Sequence, residues 1–226
     1  NLGAVISVVM LVPTLIASQE LTASTGKALD NISSYAISNQ NLYLQQWNDS
    51  YSTVTSSGRE LVETLGGTRQ LAGLRSRVET ILRDLQTLQQ GMSDLAAAIE
   101  SQEAVRTELD KINGDSTALL TPISENAPRE TQRRSAMVAA GLIQRRLTLL
   151  WEADSKRESQ ALPAWPTTES EFSSLSDGDQ EKLKAILSKL DDLKNQLLKV
   201  NARKAEVQST LARGGEKILL ELGEFN

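Results

Sequence analysis

The chain has no cysteine and no histidine. Thiol catalysis, thiolate zinc sites and histidine acid–base chemistry are therefore excluded. Aromatic residues make up only 4% of the 226 positions, while Leu, Ala, Gln, Ser and Glu abound. That balance favours extended helical bundles over compact globules. The net charge is −5 and the basic residues are scattered, so the contiguous basic stripe that nucleic acid requires is missing. Gly66-Gly67 lacks the lysine and the preceding strand of a phosphate-binding loop. The carboxylate pairs Asp191-Asp192 and Glu152/Asp154 have no metal-ligand company. No catalytic residue, metal site or cofactor is expected, and the chain does not read as an enzyme.

What the sequence does hold is a seven-residue apolar repeat. Leu183, Leu190, Leu197, Leu211 and Ile218 occupy one position of it, with Lys204 the exception. Ile186, Leu193, Val200 and Val207 occupy the other, interrupted at Gly214. Such spacing means a long helix packed along a seam against other helices. Leu71, Leu74, Val78, Ile81, Leu85, Leu88, Met92, Leu95 and Ile99 alternate by three and four in the same way, with a slip around Gln102–Arg106.

The fold expected is all-α: an elongated antiparallel up-down-up-down helical bundle with long helices, forming a single domain over 1–226. The helices are expected at about 2–48, 52–65, 69–112, 128–160 and 178–224. Asn48-Asp49-Ser50 and Asn113-Gly114-Asp115 read as breaks, because short polar side chains compete for backbone hydrogen bonds. Asn126 is a plausible N-cap before Pro128, and Ser176 with Asp179 resembles a capping box. The first segment reads as a heptad through Ile16, Gln19 and Ala23. The inner stripe of the fourth reads as Met137, Ala140, Gly141, Gln144, Leu147, Leu150, Trp151 and Asp154. Antiparallel stacking brings both termini to one end.

The few aromatic residues cluster. Tyr43, Trp47 and Tyr51 fall near one helix end, and Trp151, Trp165 and Phe172 near another. In the four-rod arrangement they meet at the far tip, either as interface anchors or as a plug filling the bundle's end. Trp165 between two prolines favours the interface. The arginine pairs Arg133/Arg134 and Arg145/Arg146 offer an alternative, a bundle that grips a small anion directly; paired with acidic residues they would instead form solvated faces. Polar or small residues interrupt the seams at Gln19, Gly26, Gln102, Lys204 and Gly214. These either permit sliding between two packings or specify one register.

The chain starts at Asn1 rather than Met, which reads as a fragment or a processed product. Residues 2–12, LGAVISVVMLV, form an apolar run too short to span a bilayer, which takes about 20 residues. It reads as a helix start buried on all sides, as the outer end of a transmembrane segment, or, in a structural or pore-forming protein, as an inserting segment.

The stretch Val12-Pro13-Thr14-Leu15-Ile16-Ala17-Ser18-Gln19-Glu20-Leu21-Thr22-Ala23-Ser24 resembles the start of the periplasmic sensor region of TorS-type hybrid histidine kinases, just after their first membrane helix. The likeness continues loosely through 39–67 and the Gln-rich heptads of 71–112. It implies a dimeric helical sensor domain in the periplasm of an inner-membrane protein, with flanking transmembrane helices outside this sequence. It also implies a periplasmic binding protein (TorT-like) as partner, carrying a trimethylamine N-oxide signal. No binding residue of that family maps onto a particular position here.

Overall fold

The computed structural model describes residues 2–66, 69–156, 162, 164–167 and 172–223, with residues 2–14 and 70 described by backbone alone. The fold is an all-α helical bundle. Five helices follow in order: α1 (Leu2–Ser38), α2 (Asn41–Leu65), α3 (Ala72–Asn126), α4 (Glu130–Lys156) and α5 (Asp177–Gly223), with a 3₁₀ turn at Arg69–Leu71 before α3. The chain forms two compact units. The first holds residues 1–96 and 206–226, and the second holds 97–205. α3 and α5 each contribute to both.

In the first unit the apolar spacing selects the buried faces. α1 buries Leu21, Thr25, Ala28, Ile32 and Tyr35; α2 buries Trp47, Val54, Gly58, Leu61 and Leu65. Both runs step by three and four (or seven), as a helix face requires. Ile16, Gln19 and Ala23, expected in the heptad, are exposed, whereas Leu29 and Ile32, where the heptad was expected to resume after a slip near Gly26, are buried. Helix directions follow from the contacts. Gln208 of α5 donates to the Ala36 carbonyl of α1, and Gly215 approaches Leu29. Lys217 binds Asp84 while Gly91 meets Leu211. Trp47 donates to Gln89 and Gly58 meets Leu82. Each pairing is antiparallel, so α1 and α3 run one way and α2 and α5 the other. The start of α1 and the end of α5 therefore share one end of this unit.

The α3–α5 seam here is an interlock. A Cβ on Gly214 would lie 2.6 Å from Leu88 Cδ2, and one on Gly91 would lie 2.8 Å from Leu211 Cδ2. Each leucine fills the space its opposite glycine leaves open. The seam defect at Gly214 is thus a socket.

The second unit packs the C-terminal part of α3, all of α4 and the N-terminal part of α5. α4 is antiparallel to α3 (Gln144 to Asn113, Asp154 to Arg106) and parallel to α5 (Arg146 to Leu187, Ala153 to Asn201). Its core joins Val105, Leu109, Ile112, Ile143, Leu147, Leu150, Leu183, Leu190, Leu193 and Leu197. Phe172 and Leu175, outside the helices, complete it.

Several helix boundaries differ from the sequence expectation. The first break falls at Asn39, not at Asn48–Ser50. Asn39 takes a left-handed φ of 57° and its amide bonds the Tyr35 carbonyl at 2.8 Å, a helix stop that asparagine tolerates. α2 continues through 48–50 because Trp47 and Val54 anchor the turns on either side, leaving Asn48 and Asp49 in solvent. α3 does not weaken at Asn113-Gly114-Asp115 but runs on to Asn126, with Pro122 inside it. Burial of Ile112, Ser116 and Leu120 outweighs the local propensities. Asn126 is consequently the last residue of α3, and Arg129, whose carbonyl accepts from Gln132 and Arg133, opens α4. α5 starts as expected: Ser176 Oγ accepts from the Asp179 amide at 3.2 Å and donates to its carboxylate at 2.6 Å. The expected tails of α4 (157–160) and α5 (224) lie outside the described residues.

The interlock predicts energetic coupling between Leu88 and Gly214. Gly214→Ala alone forces the Leu88 side chain aside. In a Leu88→Ala background that obstruction is gone, and the alanine should recover about 1 kcal/mol of helix propensity. A double-mutant cycle by urea denaturation is expected to give a coupling of about 1 kcal/mol or more; additivity within error would contradict the interlock.

Candidate functional site

Two buried polar assemblies occupy the second unit. The first gathers residues of three helices. Lys204 Nζ on α5 donates to Gln102 Oε1 on α3 at 2.6 Å. The Gln102 amide nitrogen donates to Asp154 Oδ1 on α4. Arg106 Nε reaches the other carboxylate oxygen at 2.6 Å, and its Nη1 pairs with Glu103. Beside them, Asn201 Nδ2 donates to the Ala153 carbonyl at 3.2 Å. Lys204 is only 3% exposed and Asp154 5%, whereas Glu103 lies in solvent. The chain of contacts thus runs from the interior to the surface, with two cations and two anions in balance. Burial works against the Arg106 charge, but the hydrogen bond and charge of Asp154, backed by Glu103, outweigh it. They hold the guanidinium above its ordinary value.

The second assembly ties the proline-rich connection to the helices. Arg146, 5% exposed, donates to the Pro166 carbonyl from both Nε (3.0 Å) and Nη2 (2.8 Å). Its Nη1 faces the Leu187 carbonyl (3.4 Å) and Asp191 (3.3 Å). Trp165 donates its indole proton to Asp191 at 2.6 Å. The Arg146 guanidinium and the Lys194 ammonium each lie 4.9 Å from the Trp165 ring centre, a distance suited to cation–π attraction.

The six aromatic residues expected at one tip do not all fall in one unit: Tyr43, Trp47 and Tyr51 belong to the first and Trp151, Trp165 and Phe172 to the second. Trp47 is fully buried, stacks on Tyr51 with ring centres 5.7 Å apart, and donates to Gln89. Tyr43 and Tyr51 are half-buried. In the second unit Phe172 is core, while Trp151 and Trp165 pack against that core half-exposed. The arginines do not converge on an anion pocket either. Arg133 Nη1 donates to the Ala127 carbonyl at 2.7 Å, Arg134 and Arg145 point to solvent, and Arg146 grips the connection.

Sequence reasoning singled out Gln102 and Lys204 as seam defects without pairing them. It missed Arg146 and Asn201 as core residues. The signal for Arg146 was present: Ala136, Ala139, Ile143, Arg146, Leu150 and Ala153 step by three and four, and all are buried. The expected stripe of α4 is out of phase in its first half, where Met137 (65% exposed), Gly141 and Gln144 face solvent, whereas Leu147, Leu150 and Asp154 are buried as expected.

Among the described residues no cluster of acidic side chains could hold a metal ion. An open groove of about 300 Å³ lies between α1 and α5 in the first unit, lined in part by Leu29, Ile32, Leu211 and Leu219. Comparison with known proteins finds no matching family model, no similar curated protein and no similar solved structure.

Arg146→Met should release the 164–167 segment. The Pro166 carbonyl loses both donors, and stability is expected to fall by about 2 kcal/mol. In a ¹⁵N–¹H spectrum the Trp165 indole resonance should move toward its exposed position while that of Trp47 stays put. An unshifted Trp165 signal would show that the clamp is not what holds the ring.

Proposed function

We propose that this chain is the extracytoplasmic sensor domain of a bacterial transmembrane histidine kinase. It meets a periplasmic binding protein, acts as a dimer, and passes the signal to the inner membrane by small helix shifts. One observation carries the reading. The start of α1 and the end of α5 leave the first unit at the same end, and α3 and α5 run as unbroken helices from that unit into the second. Packed helices of this kind transmit by sub-turn translations or rotations of about 1–2 Å. The Val12–Ser24 stretch that resembles TorS-type sensors supports the same assignment. Among the described residues no helix is long and apolar enough to cross a membrane, and the reading places the membrane helices outside this sequence.

Docking falls to the half-exposed rings. In the first unit Tyr43 and Tyr51 keep surface that a partner can reach, while Trp47 serves the core. A direct anion sensor is less well supported, because Arg146 spends its guanidinium on the Pro166 carbonyl and Arg133 on that of Ala127.

The reading requires the gene to encode one hydrophobic span of about 20 residues just before Asn1 and another soon after Asn226; a gene lacking either overturns it. Tyr51→Ala should weaken binding of the co-encoded periplasmic binding protein at least tenfold by calorimetry, with helicity by circular dichroism unchanged. Unaltered affinity would remove Tyr51 from the docking surface. Thermal stabilisation by an organic acid or nitrate alone would favour direct sensing instead.

A further inference from the structure

Within the second unit the apolar seam of α5 repeats every seven residues, so apolar burial alone sets its position there only loosely. Leu183, Leu190 and Leu197 present equivalent knobs, and Ile186 and Leu193 present a second row. If α5 slid by one turn, ~5 Å, or by a heptad, ~10 Å, leucines would still face leucines. A three-helix packing built on such knobs has several registers of similar apolar burial.

We infer that the buried layer of Lys204, Gln102, Asp154 and Arg106 removes this degeneracy and holds α3, α4 and α5 of the second unit in a single axial register. Each helix supplies a group the others need. Gln102 sits between the other two, its oxygen accepting from Lys204 and its nitrogen donating to Asp154. Asn201, one turn before Lys204, adds a bond to the backbone of α4 beside Asp154. A slip of one turn parts Lys204 from Gln102 and Gln102 from Asp154, and carries the ammonium toward the apolar side chains of Val105 and Leu109. Desolvating a charge without a partner is strongly unfavourable. The layer is therefore a detent that resists sliding. Its value lies in excluding alternatives rather than in raw stability, since buried polar groups often contribute little net stability compared with apolar replacements. The inference stands on packing alone and does not require the sensory reading.

The absence of cysteine lets spin labels be placed without background. Labels at the exposed positions Thr107 (α3), Thr148 (α4) and Asn195 (α5), introduced pairwise as cysteines, report the separations of the three helices by pulsed electron resonance. The parent chain should give one narrow distance distribution per pair. The Q102L/D154L/K204M chain should stay helical with an equal or higher thermal midpoint, yet its distributions should split, with a second population displaced by ~5–10 Å. Leu190→Met, an apolar swap in the same seam, should keep the parent distribution. The inference is overturned if the triple variant shows a single population at the parent distance. It is also overturned if that variant loses its fold, or if Leu190→Met splits the distribution as well.

Discussion

A continuous leucine seam on a 47-residue helix has to be covered along its whole length, and that requirement organises the chain. Leu183, Leu190, Leu197, Leu211 and Ile218 are all essentially buried, each worth about 1.5–3 kcal/mol against exposure. A single short neighbour cannot cover them. α3, with 55 residues, supplies the antiparallel surface in both units, and α1, α2 and α4 close the remaining sides. Among the described residues of the second unit, α3, α4 and α5 are the helices that line its core. The missing wall comes from the connection before α5, where Phe172 and Leu175 enter the core and Leu162 and Trp165 lie against it. This explains why a buried arginine is spent on a proline carbonyl: irregular chain standing in for a helix needs an anchor.

Elements whose identity rests on apolar periodicity could be read directly from the residues. The seam of α5, the run from Val78 to Ile99 and the Ser176–Asp179 cap are where the spacing places them. Boundaries set by a contest between local preference and burial could not. Asn48-Asp49-Ser50 and Asn113-Gly114-Asp115 both look like stops, and both lie within helices because flanking residues such as Trp47, Val54, Ile112 and Leu120 are pinned inside. The true stop, Asn39, carries no signal beyond being an asparagine, and only the backbone reveals its left-handed turn.

The polar interior shows the same limit from another side. Lys204 and Gln102 were visible as faults in two separate repeats 102 positions apart, but a repeat does not say which fault answers which. Arg146 stood in phase with a buried stripe, but a charged residue among alanines and leucines reads as a surface position. The groups opposite it, the Pro166 and Leu187 carbonyls and the Asp191 carboxylate among them, make its burial tolerable. The spacing of either helix alone can show such a fault, but not its partner on another helix.

The division of the chain has a consequence for its modular history. The second unit is one uninterrupted stretch, 97–205, whereas the first is assembled from the two stretches on either side of it. One body is thus nested inside the other, entered along α3 and left along α5. At that junction α3 and α5 are already antiparallel neighbours within the first unit, as the Gly91–Leu211 contact shows. Cutting out the nested stretch and joining the two strands of chain by a short turn would leave a four-helix hairpin pair with its own hydrophobic centre. In chain order the second unit is therefore an insertion within the first, reached along α3 and left along α5.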